Sequence, residues 1–334
     1  MEIRKIQLTG KSSYTVSLPK AWATQVGLRE QSQVGISTLP DGSLRVTPRE
    51  SIKPQGRGIF SIEGLFENAL ARQMIAIYIA GHDIFELRAS QIRSDQRKTI
   101  RDMSYRLIGM EVVEETAKSV VIQDLISPNE LQIKKSIRRM HLIIEAMHAD
   151  AIRSLVKNDI DLANDVIIRD RDIDRHYLLV LKRLQAMVKT PFAKASDINA
   201  SESLEYYLTA VSLERIADHA TKIAHCVLTL TGGSVPSEIL DSITEASKLS
   251  NDIMQLAMDA LAKLDPKLAE KAIETKSSQI TVLKRVEAMV LDLEAHAALP
   301  LNCIVTSIDR VADYSINIAE VAINLSIAKA ENQV

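Results

Sequence analysis

Val211-Ser-Leu-Glu-Arg-Ile-Ala-Asp-His-Ala-Thr-Lys-Ile-Ala-His225 returns 95 residues later as Thr306-Ser-Ile-Asp-Arg-Val-Ala-Asp-Tyr-Ser-Ile-Asn-Ile-Ala-Glu320. A segment that recurs at such a distance marks a duplicated supersecondary unit. At about 100° per residue, Leu213, Ile216, Ala217, Ala220, Ile223, Ala224 and Val227 share one helix face, and Glu214, Asp218, Thr221 and His225 line another. In the second copy the polar stripe reads Asp309, Asp313, Ile316 and Glu320. Acids four apart repel by a few tenths of a kcal/mol, so helix stability does not ask for them. A cation between them removes the penalty, and a solvated face is the alternative.

Working outward, the pattern is helical up to Ala330, with breaks expected at Thr190-Pro191, Thr231-Gly232-Gly233, Asp265-Pro266 and Leu299-Pro300, and a helix start at Ser127-Pro128-Asn129-Glu130. Two three-helix units follow, over 128–231 and 236–331. In the first, Val166, Ile173, Tyr177, Leu181 and Leu184 form an apolar stripe with Asp170 near its middle and Asp174 one turn on. A carboxylate there needs an arginine, a helix end or a metal. Carboxylates with one or two imidazoles suit iron, manganese, magnesium or zinc, and the spacing does not choose among them.

Residues 55–126 alternate strand and helix: Ile59 to Ile62, a helix through Leu65 to Ile79, Ile84 to Leu87, a helix through Ser94 to Leu107, then Glu111 to Glu114 and Val120 to Ile122. That reads as a small α/β domain, and no chemistry shows in it. Residues 1–52 carry short strands punctuated by Gly10, Asp41-Gly42 and Pro48, with a short helix from Pro19 to Val26 stopped by Gly27. So small a unit buries too little alone, and dimerisation is the expected remedy. Trp22 reads as core. The expected fold is multidomain and mainly α, with a β unit first, an α/β domain next and two helical bundles last.

The formal net charge of −2 hides an asymmetry: residues 1–57 carry nine Lys or Arg against four Asp or Glu, and the rest 32 against 39. Arg4, Lys5, Lys11 and Lys20, interleaved with Ser12 and Ser13, are candidates for binding a polyanion, against the alternative of a solvated basic face. No apolar run approaches the roughly 18 residues that span a bilayer, and MEIRKIQLTG has no apolar signal segment, so a cytoplasmic protein without membrane insertion is expected. Cys226 and Cys303, far apart in sequence and in apolar surroundings, read as plain buried thiols. With no nucleophile and base together, no P-loop, no Gly-rich dinucleotide turn and only 11 Gly, no catalysis is expected.

Two family resemblances follow. Ile6-Gln7-Leu8-Thr9-Gly10, Tyr14-Thr15-Val16-Ser17-Leu18-Pro19-Lys20-Ala21-Trp22 and Asp41-Gly42-Ser43-Leu44 resemble the AbrB/SpoVT swapped-hairpin domain, which implies a homodimer with interlaced hairpins that binds promoter DNA. Leu213-Glu-Arg-Ile-Ala-Asp-His219 and Ile308-Asp-Arg-Val-Ala-Asp-Tyr314 resemble the (E/D)-x-x-x-D signature of PhoU, which implies metal-binding bundles that restrain phosphate uptake. Together they are similar to archaeal-type phosphate-uptake regulators. By that resemblance Asp170, Asp174, Glu214 and Asp218, with His225 at the end of the stripe, hold one metal, and Asp309, Asp313 and Glu320 belong to a second site. Aligning Leu162-Ala163 with Leu268-Ala269 places Lys276 opposite Asp170, so the second site lacks that acid. The first copy also has Lys222-Ile-Ala-His225 where the second has Asn317-Ile-Ala-Glu320. The expected function is a DNA-binding dimeric regulator with a metal-binding sensor body. The alternative is an adaptor that does not bind DNA and docks on a phosphate transporter or its signalling kinase. A carboxylate-bridged metalloenzyme is disfavoured, because such sites place Glu-x-x-His pairs inside a bundle and these stripes point outward.

Overall fold

The structure, a computed structural model, describes residues 3–10, 13–38, 42–48, 57–126, 132–189, 198–230 and 235–331. The chain divides into two compact units, 1–56 and 57–334. Lys11, Ser12, the linker up to Gly56, the helix start at 127–130 and the breaks at 190–191 and 231–233 lie outside the described residues.

The first unit has two hairpins around a short helix. β1 (Gln7–Thr9) pairs antiparallel with β2 (Ser13–Thr15), α1 (Lys20–Gln25) follows, and β3 (Val34–Thr38) pairs antiparallel with β4 (Leu44–Pro48). Gly27, at φ +74°, lies just beyond α1 in the left-handed region that glycine enters without strain. The element order is that expected, with shorter strands. Trp22 is only half-buried, not core, because α1 buries no residue at all. Ile6, Leu8, Tyr14, Ile36 and Leu44 are each more than 60% exposed.

The second unit opens with a mixed sheet ordered β5 (Gly58–Ser61), β6 (Ile84–Arg88), β8 (Ser119–Asp124), β7 (Met110–Glu115). β5 and β6 are parallel and joined through α2 (Glu67–Ile79); the other pairings are antiparallel, and α3 (Ser94–Arg106) precedes β7. Leu70, Met74, Ile77 and Tyr78 of α2 and Ile100 and Met103 of α3 bury against Phe85, Leu87, Val120 and Ile122 of the sheet.

Six helices complete the unit: α4 (Ile133–Lys157), α5 (Ile160–Lys189), α6 (Ser203–Thr229), α7 (Ser237–Lys263), α8 (Pro266–Leu291) and α9 (Ala295–Glu331). α4 to α6 and α7 to α9 are the two copies. Their correspondence is visible in the backbone: Asn158 and Leu264 end α4 and α7 in the same left-handed conformation, φ 50° and 52°. Asp159 and Asp265 follow, accepting backbone N–H bonds at 2.9 Å from Leu162 and Lys267 at the starts of α5 and α8. The copies are not separate bodies, since Met140, Ile144, Leu213, Ile253, Met254, Ile308 and their neighbours form one continuous core. The break expected at Leu299-Pro300 is corrected: α9 runs through Pro300, and the chain turns earlier, between Leu291 and Ala295. A proline in the second turn removes only one of the first N–H bonds of a 37-residue helix. Among the described residues no helix is long and apolar enough to cross a membrane.

The sheet layer and the bundles are tied together at α5. Leu178 of α5 packs on the core of the layer. Lys182 Nζ reaches Asp124 Oδ2 at 2.6 Å, with side chains 4% and 7% exposed, and lies 4.6 Å from the centre of the Tyr78 ring.

Candidate functional site

The outward stripe of α6 meets the polar edge of α5, and four carboxylates, Asp170, Asp174, Glu214 and Asp218, share one electrostatic neighbourhood. Burial pushes Asp170 above the usual carboxylate range, helped by the charges of Asp174 and Asp218. Burial likewise raises Asp174, against the pull of Arg106. Glu214 is raised by burial and then by Asp218, Asp174 and Asp170. Asp170, Asp174 and Glu214 are half-buried while Asp218 is exposed, and the burial is why the charges of the first three are costly. The Thr221 hydroxyl, buried beside Asp170, makes no well-formed hydrogen bond.

Two arginines answer the charge. Arg215 lies 3.6 Å from Glu214 Oε2 and 3.3 Å from Asp218 Oδ2. Arg106 arrives from α3 of the sheet layer and donates to Asp174 Oδ2 at 3.0 Å. Sequence reasoning missed Arg106, since a residue 68 positions upstream in a different fold layer leaves no local pattern to read.

The second copy meets the same problem with an ion pair from its own chain. Lys276 Nζ lies 2.6 Å from Asp309 Oδ1, 3.2 Å from its carbonyl oxygen and 2.8 Å from Asp313 Oδ1, with Arg310 3.2 Å from Asp313 Oδ2. Its ammonium sits between the two acids, and Ile280 takes the place that Asp174 has in the first copy. His225 and Glu320 are exposed and make no hydrogen bond or ion pair with the acids upstream of them. Among the described residues, no three His, Cys, Asp or Glu side chains are arranged to hold a metal ion. The eight expected ligands are thus not a ready-made site. The donor set of the first copy fits a hard cation in its chemistry, and that of the second does not, because a lysine already fills it.

In the first unit, Lys5, Ser13 and Lys20 are exposed, and Arg4 donates to Ser17 Oγ at 3.0 Å.

α6 and α9 pack with equivalent positions facing each other: the rings of His219 and Tyr314, matched in the repeat, lie 5.8 Å apart. A pseudo-twofold axis therefore passes between them. The same contact brings Cys226 and Cys303 together, Sγ to Sγ at 2.7 Å, so the thiols read as isolated in the sequence are neighbours.

A duplicated helical body with an acidic cluster on its first copy, preceded by an exposed double hairpin, defines a multidomain bundle protein. Residues 137–227 match the PhoU domain model, and residues 7–54 match the model of the antidote-toxin recognition MazE bacterial antitoxin. The chain thus carries, in the first copy of the repeat, a segment that matches the PhoU domain and, ahead of the helical body, one that matches the MazE antitoxin model. It is 24% identical over 195 residues to a phosphate-specific transport system accessory protein PhoU homolog of Rhizobium meliloti, covering 56% of this chain and 81% of that protein. A homolog of the same description from Pseudomonas aeruginosa is 26% identical over 209 residues, 58% of this chain and 81% of that one. The crystal structure of PhoU from Pseudomonas aeruginosa matches 59% of this chain and 96% of its own with a TM-score of 0.54 at 22% identity, so the bundles have the PhoU fold. That of the phosphate transport system regulatory protein PhoU from Streptococcus pneumoniae gives a TM-score of 0.53 at 17% identity, over 59% of this chain and 94% of its own.

Proposed function

We propose that the protein is a dimeric regulator of phosphate uptake, in which the first unit pairs with a second copy and binds promoter DNA, and the bundles respond to a cation and to partners. Support for the phosphate role comes from the relatives, named as accessory or regulatory proteins of phosphate transport. Support for the dimer comes from the row of exposed apolar residues on two hairpins that bury nothing of their own. A second copy laid across them supplies the missing core.

The observation that carries the cation reading is the contrast between copies. Where the second has Lys276 between its acids, the first has Asp170 in a cluster of four carboxylates, three of them pushed up. A divalent or trivalent ion such as iron, zinc, manganese or magnesium is held there by Asp170, Asp174, Glu214 and Asp218, in competition with Arg106 and Arg215. When bound it supplies positive charge, and no catalysis is assigned to it. Metal content compared between wild type and Glu214→Ala/Asp218→Ala tests this; equal content removes the site.

The transport-system names of the relatives favour a second reading, an adaptor whose first unit only dimerises. A promoter fragment retarded more strongly than random DNA, and less so when Lys5 and Lys20 become Ala, supports the regulator. Retention of a phosphate-transporter component without any promoter preference supports the adaptor.

A further inference from the structure

At the end of the body opposite to the start of α9, a groove of about 580 Å³ opens between the first turns of α4, the start of α6 and the last turns of α7 and α9. Its size lies in the range of small-molecule sites, roughly 300 to 1,000 Å³. Four cations line it, Lys134, Arg138, Lys263 and Lys329, against Glu202 and Asp259. Both acids are already engaged: Glu202 accepts the Asn199 backbone N–H at 2.7 Å, and Asp259 takes Gln255 at 3.2 Å and Lys263 at 3.7 Å. Arg138 and Lys329 make no hydrogen bond or ion pair among the described residues.

Three observations set this groove apart from a solvated basic surface. Lys134 and Arg138 occupy the first turns of α4, a helix end whose dipole disfavours cations, and no acid stands in that first turn to offset them. The positions matching Lys134, Arg138 and His141 in the second copy are Leu240, Thr244 and Ser247, so the repeat fold does not require basic residues here. Finally, His141 is 6% exposed and its Nε2 is buried without a hydrogen-bond partner. The pseudo-twofold axis explains the orphan. Ser247 Oγ pairs with His148 Nε2 at 2.9 Å, and the image of that pair is His141 with Met254, which cannot hydrogen-bond back. A buried polar atom left so is costly unless something outside the chain completes it.

We propose that this groove binds a phosphorylated small molecule with a flat apolar body, of the nucleotide class. Arg138, Lys134 and Lys329 face the phosphates, while the apolar wall of Ile137, Met258 and Leu261 and the side chain of His141, whose ring shifts to offer its nitrogen, receive the ring. Cations alone suit any anion; the apolar wall and the imidazole together select one that carries a ring. The inference rests neither on the acidic cluster nor on the first unit.

The test is calorimetric titration of the full chain in the presence of a chelator, with AMP, ADP, adenosine and inorganic phosphate as probes, so that the cation reading is not engaged. AMP or ADP binds, and adenosine and phosphate each bind at least about tenfold more weakly, a difference of about 1.4 kcal/mol. Arg138→Ala/Lys329→Ala, at two exposed positions, weakens AMP or ADP by about tenfold or more. Lys157→Ala, the match of Lys263 at the other end of the body, leaves binding unchanged. The proposal is overturned if neither nucleotide binds at about 1 mM, if phosphate binds as tightly as they do, or if the Arg138→Ala/Lys329→Ala protein binds them like wild type.

Discussion

Replacing Lys276 with Met keeps the volume of the stem and removes the charge that holds Asp309 and Asp313 together. Lys276 is 13% exposed and the two carboxylates 41% and 36%, so these pairs lie between the buried and the surface case. Exposed pairs contribute about 0.2 to 1 kcal/mol, and hydrogen bonds to charged groups about 1.5 to 3 when sheltered. About 1 kcal/mol for each pair, plus the released repulsion of acids four apart, gives a loss near 2 kcal/mol. In a unit of this size that lowers Tm by about 4 °C. Differential scanning calorimetry of wild type and Lys276→Met reads the shift, and repeating it with millimolar Mn²⁺ or Mg²⁺ gives the second arm. The ion restores more stability to the variant than it adds to wild type, because a cation takes the place of the ammonium. A loss below about 0.5 kcal/mol, with the same metal response in both proteins, would refute the idea that the lysine neutralises a shared acid pair.

Lys182→Met strands Asp124 in the junction between sheet layer and α5 and costs about 3 kcal/mol or more by denaturant unfolding; a value near zero contradicts a buried pair. Burial depresses His148 to about 4. The unfolded chain therefore takes up a proton that the folded one refuses, and stability is lost as pH falls from 6.5 toward 4, by as much as about 3 kcal/mol at the acid end. His148→Gln flattens that slope in chemical unfolding, and an unchanged slope counts against it. Asp170 has the opposite sign: its raised carboxyl withholds stability at neutral pH and returns it as pH falls. Asp170→Asn accordingly raises stability by about 0.5 kcal/mol at pH 7 without metal, a gain that shrinks as pH falls. A mild oxidant closes Cys226 and Cys303 into an intrachain disulfide, seen in a peptide map; thiols that stay alkylatable under conditions that oxidise free cysteine speak against the contact.

The helical part was legible because its signals are periodic and local. The apolar stripe of α6, each copy of the repeated segment and the Asp265-Pro266 start are each written within a few turns of chain. The strands of the sheet layer were legible for the same reason. What pairwise sequence distance hides is what the fold brings together from afar: Arg106 on Asp174, Lys182 on Asp124, Cys226 on Cys303. Lys276 was the exception, since the repeat alignment already set it opposite Asp170. The alignment did not reveal that its ammonium bonds both acids at once. The groove around His141 was invisible because its cations are spread over three helices and its signature is a missing partner.

The pseudo-twofold packing of α6 on α9 makes the body a dimer in one chain. Two separate copies of a single repeat would meet with an affinity that depends on concentration, and every substitution would appear twice across the axis. A tether fixes the effective concentration at roughly the millimolar level, so the contact persists at any dilution. It also frees the halves to differ: a lysine on one side and an aspartate on the other, a histidine with its serine on one side and without it on the other. Symmetric architecture thus carries asymmetric chemistry: one half neutralises its acids with its own lysine, and the other leaves four carboxylates to two arginines.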